Sequence, residues 1–109
     1  MLLNLPAPIA TYIAAENGDD PSALALCFGE NTIVQDEGRA MKGLAAIQRW
    51  KRETKQKYHH TVEPLACDQK DGKTVVTCRL TGQFSGSPVE LQFIFALEGD
   101  RIASLEIRP

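Results

Sequence analysis

Residues 89–103 of the chain read VELQFIFALEGDRIA, and this stretch decides the fold. Apolar side chains occupy every second position from Val89 to Leu97, which is the period of a β-strand with one buried face. A glycine–aspartate turn at residues 99–100 then leads into a last strand at residues 101–108. The stretch therefore predicts two strands whose apolar face must be covered by the rest of the chain.

Two further strands are predicted before this pair. Residues 61–68 form one strand, and Asp71-Gly72 is a strong hairpin signal that leads into a long strand at residues 74–84. Residues 86–88, Gly-Ser-Pro, turn the chain again. On the long strand, four side chains are expected to share one face: Val76, Cys78, Leu80 and Phe84.

The N-terminal part of the chain is predicted to be helical. Ile9, Tyr12 and Ile13 fall on one face of a helix over residues 8–16, which Asn17-Gly18 ends. Asp20-Pro21 is typical of a helix start. A second, short helix is therefore expected to run to about Phe28 and to end at Gly29, with three buried side chains: Leu24, Cys27 and Phe28.

A third helix is predicted from Leu44 to about Lys57, with Leu44, Ile47 and Trp50 on its apolar face. Between the second and third helices, residues 32–36 and 39–42 form two short strands around a turn.

This order of elements indicates the α+β class. Three N-terminal helices are separate from a series of long strands, so we expect one curved antiparallel sheet wrapped around the helices. A chain of 109 residues supports one core, which predicts a single domain over residues 1–109.

Charge and hydropathy exclude several classes of protein. The net charge is −2 and the pI about 5.6, whereas a nucleic-acid binder is expected to be basic. No apolar run approaches the roughly 18 residues that a membrane span needs. The third helix carries a basic face that we interpret as solvated, consisting of Arg49, Lys51, Arg52, Lys55 and Lys57.

The three cysteines, Cys27, Cys67 and Cys78, form no C-x-x-C pair and follow no recognisable secretion signal. This pattern predicts reduced thiols and a cytoplasmic protein. No motif for a metal ion or another cofactor is present in the sequence.

Several segments resemble the nuclear transport factor 2-like superfamily, and in particular its SnoaL-like branch of small bacterial proteins. They are Tyr12-Ile13, Gly18-Asp19-Asp20, Phe28 with residues 31–36, the run from Gly43 through Ala46-Ile47 to Trp50, and residues 93–103. The resemblance implies a cone-shaped, cystatin-like fold with a pocket between sheet and helices, usually in a dimer. It implies no single activity, because the superfamily includes polyketide cyclases, ketosteroid isomerases, dehydratases and non-catalytic transport factors.

Asp36 is the leading catalytic candidate, because it ends an apolar strand where a pocket mouth is expected. The resemblance to ketosteroid isomerases implies that Asp36 is the base and Tyr12 a hydrogen-bond donor to an enolate oxygen. The isomerases' second acid matches Phe93 here, and their supporting tyrosine matches Lys51, so the oxyanion site would have one donor. The alternatives are that Tyr12 is a core residue and that Asp36 forms a turn or an ion pair with Arg39.

Candidate ligand-binding residues are the apolar side chains expected near the pocket, together with Arg39 as a cation at its mouth. His60 is a further candidate, because it would form an acid–base dyad with Asp36 if the fold brought them together; the alternative is a solvated loop histidine. His59 and His60 are adjacent and are expected to face opposite ways. The apolar candidates, which a simple core would equally explain, are Trp50, Phe28, Met41, Phe93 and Phe95.

Two functions remain open at this point. The first is a pocket protein that binds a small apolar organic molecule, with cofactor-free acid–base chemistry of the isomerase, cyclase or dehydratase kind. The second is a non-catalytic binding or dimerisation module with a filled pocket. In either case the outer face of the sheet, which includes Ile94 and Ala96, is predicted to form a homodimer.

Overall fold

A computed structural model of the protein describes residues 4–18 and 21–109. Two α-helices, one 3₁₀ helix and six strands lie in these residues, in an order close to the predicted one. Along the chain they are α1 (Ala7–Asn17), the 3₁₀ helix (Pro21–Leu26), β1 (Phe28–Asp36), β2 (Arg39–Lys42), α2 (Leu44–Tyr58), β3 (Thr61–Lys70), β4 (Lys73–Thr81), β5 (Val89–Glu98) and β6 (Arg101–Arg108).

The six strands form one curved sheet in the order β2-β1-β6-β5-β4-β3. The hairpins β3–β4, β4–β5 and β5–β6 are antiparallel, as expected for a meander. The expectation of a wholly antiparallel sheet is wrong at one place, because β1 pairs with β6 in parallel. The hydroxyl of Thr32 donates to the carbonyl of Ile102 at 2.6 Å across this pair, and the amide of Ile102 donates to the carbonyl of Cys27 at 2.8 Å.

The helices cover one face of the sheet, which confirms the α+β arrangement. Helix α1 packs against β3 and β6, while α2 packs against β1 and β2. The core between the two layers consists mainly of apolar side chains, among them Ile9, Tyr12, Leu24, Phe28, Val34, Ile47, Val76, Phe93, Phe95 and Leu105.

The second predicted helix is shorter than expected. It is a 3₁₀ helix that ends at Leu26, and Phe28 and Gly29 already belong to strand β1. The local signals for a helix end are overridden by pairing with the sheet, since the carbonyl of Cys27 accepts a bond from β6. Leu24, Cys27 and Phe28 are nevertheless buried, as predicted.

The strand predicted over residues 74–84 ends at Thr81, so Phe84 does not continue its buried face. Residues 82–88 form a turn instead, in which the amide of Gly82 donates to the hydroxyl of Ser87 at 2.9 Å. Leu97 also departs from expectation, because it is 36% exposed. A register shift between Ala96 and Leu97 takes this side chain off the buried face of β5.

The basic face of α2 is not uniformly solvated. Lys51 is only 1% exposed, and its ammonium group donates to the carbonyl of Gly18, the C-cap of α1, at 3.0 Å. Lys55 also turns inward and donates to the carbonyl of His60. The solvated interpretation is therefore wrong for Lys51, which connects the two α-helices.

The outer face of the sheet carries a mixture of side chains. Thr77, Ile94 and Ala96 are half-buried, and the exposed Arg79 lies 3.5 Å from Glu63. A homodimer through this face stays a prediction.

Gly82 provides a test of how the turn after β4 is packed. A Cβ at this position would lie 2.7 Å from the carbonyl oxygen of Tyr58 and 2.9 Å from Cα of His60. Because both are backbone atoms, Gly82→Ala should lower the free energy of unfolding by about 1–3 kcal/mol, as overpacking does. Chemical denaturation measures this change.

Gly29→Ala is the matched control. A Cβ there would meet only the Thr32 hydroxyl at 3.9 Å, which is an ordinary contact. The control should leave stability within about 0.5 kcal/mol of the wild type. Equal losses in both variants would contradict the close packing of Gly82.

Candidate functional site

A cavity of about 460 Å³ lies between the helices and the sheet. Its volume is in the range of small-molecule sites. One wall is apolar and comes from the last three strands and the turn before β5, with Leu80, Phe84, Val89, Leu91, Phe93 and Ile107. The remainder of the lining is polar and aromatic, and both α-helices contribute to it.

Six titratable side chains line this cavity, and besides Glu37 and Tyr58 four of them come from three parts of the chain. Tyr12 and Glu16 come from α1, Asp36 ends β1, and His60 precedes β3. Tyr12 and Glu16 are four residues apart on the helix, so they share a face and both point towards the sheet.

Asp36 is held by Trp50. The indole Nε1 donates to Oδ2 of Asp36 at 2.9 Å. Burial raises the pKa of the Asp36 carboxyl above its usual 3.8, the hydrogen bond from Trp50 opposes this rise, and the nearby Glu37 and Glu16 carboxylates add to it. The result is a carboxylate that takes up a proton more readily than one in water.

Glu16 and His60 form a buried pair. Oε1 of Glu16 lies 2.6 Å from Nε2 of His60, and their side chains are 2% and 7% exposed. The expected dyad of His60 with Asp36 is therefore not found, because Glu16 occupies that position. His59 is exposed at the C-terminal end of α2, in agreement with the expectation that at most one of the two histidines faces the pocket.

Hydrogen bonds between Asn17 and the start of β3 bring His60 next to Glu16. The Asn17 side chain donates to the carbonyl of Val62 at 2.8 Å and accepts from the amide of Val62 at 2.7 Å. These two bonds hold the start of β3 against the end of α1, so that neighbouring residues of the two elements are adjacent as well.

Tyr12 is a core residue and a cavity residue at once. Its ring packs against Phe28, Phe93 and Phe95 with centroid distances of 5.5, 6.3 and 5.7 Å. Burial raises the pKa of its hydroxyl well above 10, and the charge of Glu16 raises it further, so the group stays protonated at neutral pH.

Three buried polar atoms at the inner end of the cavity have no hydrogen-bond partner among the described residues. They are the Tyr12 hydroxyl, Oε2 of Glu16 and Nδ1 of His60. Most buried polar groups in folded proteins are paired, so a cluster of unpaired ones at a cavity indicates a place for a polar group of a ligand or for water.

The cavity unites part of the predicted site. Asp36, Tyr12, Trp50, His60 and Phe93 all line it. Three other candidates are core residues that do not reach it: Phe28, Met41 and Phe95.

Arg39 does not stand at the mouth of this cavity. It is exposed and lies 3.7 Å from Glu53, and it lines a second, smaller cavity of about 300 Å³ that also includes Asp36. The alternative ion pair between Arg39 and Asp36 is not observed, since Trp50 is the partner of Asp36.

Sequence reasoning missed Glu16. The available signal was helical spacing, because Glu16 continues the buried stripe of Ile9, Tyr12 and Ile13 along α1. A carboxylate in such a stripe indicates either a buried ion pair or a pocket, and here it takes part in both.

Two kinds of feature are absent from the described residues. No group of three or more His, Cys, Asp or Glu side chains is arranged to hold a metal ion in residues 4–18 and 21–109. Within the same ranges no helix is long and apolar enough to cross a membrane.

The comparisons with known proteins agree with this architecture. A protein from Sinorhizobium meliloti, proposed to be a polyketide cyclase, is 36% identical, with 95% of each chain covered and a TM-score of 0.90. A hypothetical protein from Catenulispora acidiphila with a ketosteroid isomerase-like fold, solved with trimethylamine, is 20% identical; 97% of this chain and 87% of that one are covered, with a TM-score of 0.84. A proposed isomerase of the SnoaL-like family from Agrobacterium tumefaciens is 21% identical over 92% of both chains, with a TM-score of 0.76.

Among curated proteins, none matches this sequence. The model of the SnoaL-like domain family matches residues 9–105, which include every strand except the end of β6 and all of α1 except its first two residues. This match, the cavity beneath the curved sheet and the similarity to solved structures agree with the resemblance seen in the sequence, and the chain belongs to the SnoaL-like domain family.

Proposed function

We propose that the cavity binds a small, mainly apolar organic molecule and that Asp36 transfers a proton within it without a cofactor. The observation that carries this proposal is the presence of Asp36 and the Tyr12 hydroxyl in one cavity with an apolar wall. A desolvated carboxylate and a neutral phenol together suit proton abstraction from carbon next to a carbonyl group.

In the proposed reaction, the carboxylate of Asp36 takes a proton from the carbon adjacent to the carbonyl. The electrons of that C–H bond form a carbon–carbon double bond, and the carbonyl oxygen becomes an enolate. The Tyr12 hydroxyl donates a hydrogen bond to this oxygen, since its raised pKa keeps it protonated. Where the substrate carries a carbon–carbon double bond conjugated with the enolate, Asp36 returns the proton to the far carbon of that double bond. The carbonyl forms again, the double bond has moved, and the product is an isomer of the substrate.

The hypothesis of a filled pocket is less well supported. It requires aromatic side chains to close the space, whereas Trp50 and Phe93 line a cavity of about 460 Å³. The second candidate function is that of a non-catalytic protein that binds a ligand in this cavity. It differs from the first only in the absence of turnover, so an activity assay distinguishes the two.

Asp36→Asn tests the proposed base. The variant should abolish exchange of α-deuterium from small cyclic ketones, followed by NMR, because an amide does not accept the proton. Its melting temperature should not fall below that of the wild type, since the asparagine oxygen still accepts from Trp50. Asp68→Asn, at an exposed position of β3, is the matched control and should retain full exchange. Exchange that persists in Asp36→Asn would rule out Asp36 as the base.

Trp50→Phe tests the tuning of that base. The indole hydrogen bond lowers the pKa of Asp36, so its removal should raise this pKa further. The rate of deuterium exchange rises with pH as Asp36 ionises, and the midpoint of this rise should move to higher pH in the variant. An unchanged or lower midpoint would show that the hydrogen bond does not stabilise the carboxylate.

Stability should report the same raised pKa. A carboxyl group with a pKa above 3.8 in the folded state binds more protons there than in the unfolded chain. The free energy of unfolding therefore falls as the pH rises from 3.8 through the folded pKa. Asp36→Asn lacks this loss, so its stability relative to the wild type should increase across that window, measured by urea denaturation at several pH values. A constant difference would contradict the raised pKa.

A further inference from the structure

The charge and the aromatic content of the cavity narrow the class of ligand. We infer that the cavity selects a protonated amine with an apolar body, held through Glu16 at the inner end. This inference rests on the proposed binding function and specifies the charge of the molecule that binds.

Acidic side chains predominate among the charged residues that line the cavity. Three carboxylates line the cavity, Glu16, Asp36 and Glu37. Of the 12 Lys and Arg side chains in the sequence, none contributes to its lining among the described residues. The one group present that can become cationic is His60, which is paired with Glu16. Three carboxyl groups stand against one imidazole, so acidic side chains outnumber basic ones in the lining.

One buried hydrogen-bond acceptor among the residues that line the cavity is unpaired within the described part of the chain. Oε2 of Glu16 is buried and has no hydrogen-bond partner among the described residues, while the residue as a whole is only 2% exposed. The Tyr12 hydroxyl is close enough to interact with the Glu16 carboxylate, but it forms no hydrogen bond of normal geometry with Oε2. A carboxylate oxygen only accepts hydrogen bonds, so a ligand that satisfies Oε2 must bring a donor. A protonated amine brings both the donor and the opposite charge, which makes the hydrogen bond stronger than a neutral one.

The aromatic side chains of the lining also favour a cationic ligand. Aromatic rings attract cations through their faces, most strongly when water is excluded. Tyr58 and Phe84 pack edge to face at 5.7 Å, and the Tyr58 ring already holds one cation, the ammonium group of Lys57, 5.0 Å from its centroid. The Tyr58 hydroxyl donates to Glu37 at 3.3 Å. Five of the seven aromatic side chains of the protein line the cavity: Tyr12, Trp50, Tyr58, Phe84 and Phe93.

Three ligands of similar shape and different charge test the inference. N,N-dimethylbenzylamine is protonated at neutral pH, isobutylbenzene is its neutral isostere, and phenylacetate is a comparable anion. Trp50 is the single tryptophan of the chain and lines the cavity, so its fluorescence reports binding of each ligand.

The ammonium ligand should bind roughly tenfold more tightly than isobutylbenzene, and phenylacetate should bind weakest. Hydrophobic burial alone predicts the opposite order for the first two, because isobutylbenzene is the more apolar molecule. Equal or tighter binding of isobutylbenzene would overturn the inference and leave the proposed apolar site intact. If none of the three ligands changed the fluorescence, the inference and the proposed binding function would fail together.

Glu16→Gln tests whether Glu16 is the carboxylate that binds the ammonium group of the ligand. It should weaken the ammonium ligand by roughly tenfold and change the affinity for isobutylbenzene by less than about twofold, which also shows that the cavity has kept its shape. Glu98→Gln removes the same charge from an exposed position outside the cavity and should alter neither affinity. If the two variants weakened the ammonium ligand equally, Glu16 would not be its partner. Should Glu16→Gln fail to fold, the three ligands on the wild type decide the inference by themselves.

Discussion

The packing of the Tyr12 ring against Phe28, Phe93 and Phe95 holds helix α1 over the concave face of the sheet, and the site depends on this contact. The three phenylalanines come from β1 and β5, so one ring joins the helix to strands on both sides of β6. Glu16 follows one helical turn later and is carried into the cavity by the same packing. A shift of α1 would therefore move Tyr12 and Glu16 together.

The cavity combines features that a simple core avoids. Carboxylates are costly to bury without partners, yet Glu16 is almost fully buried and Asp36 is desolvated enough to raise its pKa. Each has one partner, His60 and Trp50 respectively. The partners satisfy one oxygen of each carboxylate, and in Glu16 the second oxygen has no partner among the described residues. This half-satisfied arrangement is difficult to explain by stability and is expected where a ligand completes the hydrogen bonds.

The departures from the ketosteroid isomerase pattern have structural consequences. Phe93, at the position of the second acid, is 1% exposed and packs on Tyr12, which leaves Tyr12 as the donor at that end of the cavity. Lys51, at the position of the supporting tyrosine, turns away to the carbonyl of Gly18 and connects α2 to the end of α1. The polar end of the cavity is supplied instead by Glu16 and His60. The resemblance to ketosteroid isomerases therefore extends to the fold but not to all the groups that line the cavity.

Most of the fold follows from local patterns in the sequence. Side-chain direction repeats with a fixed period in strands and helices. The alternation through β5 and the helical spacing of Ile9, Tyr12 and Ile13 therefore each predict one element with one buried face. The Asp71-Gly72 turn predicts the hairpin between β3 and β4. Five of the nine candidate site residues line the cavity: Asp36, Tyr12, Trp50, His60 and Phe93. The role of Tyr12 came from the resemblance to ketosteroid isomerases, and four candidates do not line this cavity: Phe28, Met41, Arg39 and Phe95. Where the sequence failed, at Leu97 and at Phe84, a register shift and a turn intervened that no periodicity reports.

Tertiary structure alone decided which polar groups meet. His60 pairs with Glu16 and not with Asp36 because two hydrogen bonds from Asn17 hold β3 to the end of α1, over a separation of 45 residues. Strand β1 pairs with β6 in parallel. Local periodicity does not predict this pairing, because a strand's own sequence sets its buried face but not the direction of its neighbour. Lys51 lies in the interior because the C-cap carbonyl of α1 meets α2 at that point. The sequence determined the elements and their faces through local periodicity, and the long-range packing of α1 on the sheet determined the chemistry of the cavity.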